Sequence, residues 1–145
     1  MKLKAFSLFS LVAAVAGQTV LHPISGTTNK CLEVRGDVQA NGTPVQIFDC
    51  NGTPAQQWDI TEGLTTVRLA NSPYCLDAGS NGTLMKIWEC FDGLAAQQWF
   101  LTNDSRIALN NQGFCLDLPN GNLTNTVQVQ IWKCTDGDVN QIWTS

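Results

Sequence analysis

Basic residues are scarce in this chain, and histidine more so. Eight Lys and Arg face twelve Asp and Glu, for a net charge of −4, and His22 is the one histidine. Nucleic-acid binding rests on Lys and Arg neutralising phosphates, so an acidic chain with no basic run is expected to bind none. The same lack removes a basic patch for membrane surfaces. With one histidine and no C-x-x-C, the usual zinc spacings are missing, and no metal or other cofactor is expected. A lone histidine also weakens any Ser–His or Cys–His nucleophile pair. The carboxylates suffice in number for a glycosidase pair, but none sits in a setting that argues for a raised pKa. The chain is therefore not expected to be an enzyme.

Long apolar runs are missing too, apart from one at the start. Ala5 to Ala16 carries no charge and follows Lys2 and Lys4, and small residues at Ala14, Ala16 and Gly17 suit a signal peptidase. The run falls short of the roughly 20 apolar residues that a bilayer span needs. Residues 1–17 are read as a signal peptide and 18–145 as one secreted, extracellular domain with no membrane insertion. That domain keeps six basic residues (Lys30, Arg35, Arg68, Lys86, Arg106 and Lys133) against all twelve acidic ones.

All six cysteines follow the leader. Cys31 and Cys50 are 19 apart, Cys75 and Cys90 are 15 apart, and Cys115 and Cys134 are 19 apart. An even count behind a signal peptide reads as a disulfide framework, although spacing alone leaves many pairings open. Five Asn-x-Ser/Thr sequons, at Asn41, Asn51, Asn81, Asn103 and Asn122, suit a secreted glycoprotein and mark surface loops.

The chain writes one unit three times. KCLEV at 30–34, YCLDA at 74–78 and FCLDL at 114–118 each lead to a second block, VQIFDC, MKIWEC or VQIWKC, ending at Cys50, Cys90 or Cys134. Each unit then closes on Gln-x-Trp, at Trp58, Trp99 and Trp143. First cysteines recur at 44 and 40 residues and closing tryptophans at 41 and 44, which favours disulfides within each unit: Cys31–Cys50, Cys75–Cys90 and Cys115–Cys134. Val67 and Leu69, then Ile107 and Leu109, alternate ahead of a cysteine with the period of a half-buried strand. Asn-Gly turns separate such segments, and no amphipathic helix follows the leader. The class is all-β. A unit of about 40 residues cannot bury enough apolar surface alone, so the three are expected to close around a shared core containing Trp58, Trp99 and Trp143.

Cys-Leu-Asp, an apolar-Gln-apolar-Trp-x-Cys strand and Gln-x-Trp, in triplicate, resemble the ricin B-type lectins, also called carbohydrate-binding module family 13. The resemblance runs from about Gln18 to the end of the chain. It implies a β-trefoil of about twelve short strands with pseudo-threefold symmetry, and repeats α (about 18–60), β (about 61–101) and γ (about 102–145). It also implies up to three shallow sugar sites.

Alternation in the second block sets Val129 and Ile131 against Gln130 and Trp132. With the aliphatic pair inward, an aromatic ring stands outside beside an amide, a pairing that suits the C–H face and hydroxyls of a pyranose. A carboxylate adds charge-assisted hydrogen bonds. The family pattern then maps onto γ: Asp117 accepts from sugar hydroxyls, Trp132 stacks, and Gln130 and Asn140 complete the pocket with Gln141 behind. Asp117 and Trp132 are expected to be exposed. In β, Asp77, Trp88 and Gln97 remain, but Lys86 replaces the amide and Ala96 the Asn, so an altered site is expected. Lys86 either salt-bridges Asp77 or meets an acidic sugar. In α, Glu33, Gln46 and Phe48 stand in place, but Glu33 is longer and Ala55 replaces the Asn, and a silent site is expected. The Gln of each Gln-x-Trp is expected to be structural. The partners implied are glycans: galactosides, N-acetylgalactosaminides or plant polysaccharides such as xylan. The rival reading is a trefoil protease inhibitor or toxin-like defence protein acting through surface loops.

Overall fold

The computed structural model describes residues 17–24, 27, 29–80 and 83–145. All but Gly17 of the expected signal peptide, and the sequon residue Asn81, lie outside them.

Every residue block that recurs in sequence recurs as a structural element. The Cys-Leu-Asp blocks and the blocks ending in the second cysteines pair as three antiparallel hairpins. These are β3 (Lys30–Val34) with β4 (Val45–Asp49), β8 (Tyr74–Asp77) with β9 (Lys86–Glu89), and β12 (Phe114–Asp117) with β13 (Gln130–Lys133). Each hairpin is stapled by the disulfide expected for its unit, Cys31–Cys50, Cys75–Cys90 or Cys115–Cys134. In the chain-entropy picture, closing loops of this size stabilises by on the order of 3 kcal/mol each.

The remaining strands form a closed ring. Each Gln-x-Trp tryptophan opens a short strand: β5 (Trp58–Asp59), β10 (Trp99–Leu101) and β14 (Trp143–Thr144). On one side, β5 pairs with β1 (Gln18–Thr19) and on the other with β7 (Arg68–Leu69). Likewise β10 lies between β6 (Gly63–Thr65) and β11 (Ile107–Leu109). The ring closes where β14 pairs with β2 (His22–Pro23) and the Trp143 N–H donates to the Ser105 carbonyl at 2.8 Å. The fourteen segments are twelve strands of a trefoil, with the first strand of two repeats broken into β1/β2 and β6/β7. The only helices among the described residues are single 3-10 turns, three of them immediately before the closing tryptophans.

The three hairpins meet at the pseudo-threefold axis through one cycle of main-chain bonds. Val45 N–H donates to Met85 O (3.0 Å), Met85 N–H to Val129 O (2.9 Å), and Val129 N–H to Val45 O (3.1 Å). All three side chains are fully buried. The shared core contains Trp58, Trp99 and Trp143, as expected. Each indole N–H donates to the carbonyl of the leucine in its own Cys-Leu block, Leu32, Leu76 or Leu116, at 3.0–3.1 Å. A buried indole needs such a partner, and this one locks each closing strand to the hairpin it sits beneath.

Candidate functional site

The carboxylates of the three Cys-Leu-Asp/Glu blocks sit at equivalent strand ends, and each is held by the glutamine of Gln-x-Trp. Gln141 Nε2 donates to Asp117 Oδ2 (3.2 Å), Gln97 Nε2 to Asp77 Oδ2 (3.0 Å), and Gln56 Nε2 to Glu33 Oε1 (3.2 Å). The same amide nitrogens donate to the carbonyls of Lys133, Glu89 and Asp49. Their oxygens accept from the N–H groups of Thr135, Phe91 and Asn51. All three glutamines are buried, a clamp between the hairpin, the loop after it and the carboxylate. The structural role expected of them is the one their hydrogen bonds describe.

One expectation needs correction. Asp117 is not exposed: only 4% of it is open to solvent. Besides Gln141 it has Gln130, whose Nε2 donates to Asp117 Oδ1 at 2.9 Å across the β12–β13 pair. The sequence places Asp117 next to a turn, but its burial comes from two amides that converge on it from separate elements.

Around Asp117 an open pocket of about 380 Å³ gathers Gln130, Trp132 and Asn140 from the expected set. That is at the small end of the range for ligand pockets. Trp132 projects from β13 with 54% of its surface open, while Val129 and Ile131 turn inward, as alternation requires. Pro119, Asn120 and Asp138 also line the pocket and were not anticipated. A 3-10 turn at Pro119–Gly121 forms one wall. A Cβ on Gly121 would lie 2.8 Å from Asn140 Oδ1, so glycine there lets the amide lie against the turn. Asp138 caps the opposite turn, accepting from the Asn140 N–H at 3.0 Å. Gln141 lies behind this wall, outside the pocket.

The β equivalent is a pocket of about 390 Å³ containing Asp77, Lys86 and Trp88, and its far wall is apolar: Phe91, Leu94 and Ala96. Gln97 lies beneath. Lys86 does not salt-bridge Asp77, since none of the four ion pairs among the described residues includes it. Asp77 Oδ1 instead accepts the Gly79 N–H at 2.6 Å. In α, Glu33 is buried between Gln56 and Gln46, and Gln46 Nε2 donates to Glu33 Oε2 at 2.8 Å. Arg35 folds back so that its Nε donates to Gln46 Oε1 at 2.6 Å. The α carboxylate, amide and guanidinium thus satisfy one another, and Phe48 is only half-exposed.

The resolved shifts of acidity lie away from these pockets. A hydrogen bond from Lys30, with a second from Asn125, holds the Asp49 carboxyl below its ordinary value of 3.8. Thr102, then Arg106, lower that of Asp104 in the same way. The one cluster with metal-ligand side chains among the described residues is His22, Cys31 and Cys50, and its two sulfurs are joined to each other. No helix among the described residues is long and apolar enough to cross a membrane.

A threefold ring-and-hairpin architecture, with a carboxylate held by a buried glutamine in every repeat, defines a β-trefoil. Residues 21–143 match the family model of the ricin-type β-trefoil lectin domain, and the chain belongs to that family. No curated protein matches the sequence. Solved structures similar to it include the agglutinin of Rhizoctonia solani (21% identity, 89% of this chain and 93% of that one, TM-score 0.69). The C-terminal half of the earthworm R-type lectin, in complex with GalNAc, is 19% identical over 79% of this chain and 88% of its own, with a TM-score of 0.65. A mosquitocidal holotoxin is 17% identical with a TM-score of 0.76; the match covers 88% of this chain but spans only 17% of the toxin. At these identities the likeness speaks for the fold alone.

Proposed function

We propose that this protein is a secreted glycan-binding lectin whose main site is the γ pocket, and that it takes galactose-type sugars or close relatives. One observation carries this reading: Trp132 stands exposed over a pocket whose polar groups keep unused hydrogen-bonding capacity. Asp117 accepts one protein hydrogen bond on each oxygen, which leaves lone pairs for neighbouring sugar hydroxyls. Gln130 Oε1 and the Asn140 side-chain amide have no protein partner among the described residues and face the same space. Among the described residues that line this site there is no nucleophile–base pair, in keeping with a site that binds. Residues 1–17 are then a signal peptide removed on export, and 18–145 the mature domain. The earthworm lectin was solved with GalNAc, and a bitter-gourd relative of type II ribosome-inactivating proteins with α-methyl-D-galactoside, which makes galactosides the first ligands to try.

A glycan array run beside a protease-inhibition panel tests the proposal. Retention of terminal galactosides with no protease inhibited is the expected outcome. Inhibition of a protease by a protein blind to every glycan favours the loop-scaffold reading instead.

A further inference from the structure

We infer that the Cys31–Cys50 disulfide, unlike the other two, is a site of thiol–disulfide exchange. A small thiol attaches there to Cys50, and His22 stabilises the departing Cys31 thiolate.

The three repeats place different residues beside their first cysteines. Arg68 pairs with Cys75 and Ala108 with Cys115. Leu32 N–H donates to Leu21 O as Leu76 N–H does to Val67 O, so His22 holds in α the place of Arg68 in β. Its Nδ1 lies 3.7 Å from Cys31 Sγ and 3.7 Å from Cys50 Sγ. The same nitrogen is 2.8 Å from the Lys30 carbonyl, which only accepts, so Nδ1 carries the hydrogen. A thiolate formed on Cys31 competes for that hydrogen as a charged acceptor against a neutral one. Ala108 brings no donor. Arg68 is held by Asp59, Nη2 to Oδ2 at 3.1 Å, and Asp59 and Asp92 line the cleft beside Cys75 and Cys90. Two carboxylates there repel an incoming thiolate.

Cys31 is fully buried and Cys50 reaches solvent, so an entering thiolate meets Cys50 Sγ. It attacks in line with the disulfide. A bond forms between its sulfur and Cys50 Sγ, the Cys31–Cys50 bond breaks, and the electron pair leaves on Cys31 Sγ. The entering sulfur is thereby oxidised to a mixed disulfide and Cys31 is reduced to a thiolate, which takes the His22 hydrogen bond. The rate of such exchange depends on access and on how readily the leaving sulfur carries its charge. The α hairpin is also the one that best spares its staple. β3 and β4 pair at five positions, where each of the other two hairpins pairs at four. Lys30 Nζ donates to Asp49 at 2.6 Å and to Asn125 at 2.7 Å, which ties the strand ends together beside the sulfurs.

Reduced glutathione is the probe. Folded, fully oxidised mature protein is exposed to it under native conditions, quenched with acid at intervals, alkylated and mapped by mass spectrometry. Glutathione on Cys50 with alkylated Cys31 should form about tenfold faster than an adduct at either other disulfide, the effect of a hydrogen bond to a partly charged leaving sulfur. His22→Phe should slow this opening about tenfold. Because β2 pairs with β14, that substitution also bears on ring closure, so its thermal midpoint is measured beside its rate. Ala108→His is independent of that: it sets an imidazole beside Cys115 and should speed the opening of Cys115–Cys134. The inference is overturned if another disulfide opens first, if none reacts, or if the adduct sits on Cys31. It is equally overturned if His22→Phe with the parent's midpoint exchanges as fast as the parent, or if Ala108→His leaves Cys115–Cys134 no faster.

Discussion

Replacing Asp117 by alanine removes the acceptor of two amides at once. Gln130 Nε2 and Gln141 Nε2 both donate to it, and Gln141 is fully buried. Hydrogen bonds to charged groups contribute roughly 1.5 to 3 kcal/mol each, and a buried donor left unpaired adds its desolvation cost. Two relieving features lower the sum. Gln141 keeps its bond to the Lys133 carbonyl, and Gln130 is half-exposed and can turn to water. A loss of about 3 kcal/mol follows, which for a domain of this size lowers the thermal midpoint by roughly 10 °C. Calorimetry of parent and Asp117→Ala measures it directly. Asp77→Ala should behave alike, since Asp77 accepts from Gln97 and the Gly79 N–H. A midpoint for Asp117→Ala within about 1 °C of the parent would refute the view that the site carboxylates also hold the fold. It follows that loss of sugar binding in this variant is poor evidence for contact with sugar.

Three further outcomes are expected. Lowering the pH should release the tie between Asp49 and Lys30 and Asn125. The carboxyl is held below 3.8 in the fold, so its contribution is present above that value and is lost as pH falls through the lowered one. An NMR titration in which Lys30→Ala fails to raise the Asp49 midpoint would contradict this assignment. Chelators should leave galactoside binding unchanged, because both carboxylates that line the γ pocket accept from amide N–H groups, Asp117 from Gln130 and Gln141 and Asp138 from Asn140, and those donors stand where a calcium site needs further oxygens of its roughly 6 to 8; binding abolished by a chelator would count against that pocket. Arg35→Ala should not create a third site at α, since Gln46 and Gln56 still engage Glu33. A third sugar equivalent in calorimetry would overturn that reading.

The threefold recurrence made the fold legible from sequence, because each recurring residue does the same mechanical job three times. Trp58, Trp99 and Trp143 fill one core, and the cysteines staple one hairpin each. Alternation in VQIWKC was enough to turn Trp132 outward. What stayed hidden depended on contacts between segments remote in sequence. The burial of Asp117 needs Gln141, 24 residues on. Sequence alone leaves Lys86 either to salt-bridge Asp77 or to meet an acidic sugar, and the first alternative fails because a main-chain N–H two residues from Asp77 takes that place. Arg35 closes α by reaching 11 residues forward to Gln46, and nothing in its local sequence marks that bend. Asp138 and Leu94 had a faint signal, three residues before each Gln-x-Trp glutamine, at the entry to the 3-10 turn.

The central claim is that Trp132 is a sugar platform in the γ pocket, and one substitution isolates it. Trp132 is 54% exposed and has no part in the core, so Trp132→Ala should leave the thermal midpoint within about 2 °C of the parent, as surface changes usually do. Isothermal titration with methyl galactoside decides the matter. The parent should bind with a dissociation constant around millimolar, about −4 kcal/mol, and Trp132→Ala should lose the γ contribution while remaining folded. Undiminished galactoside binding by folded Trp132→Ala would contradict the account.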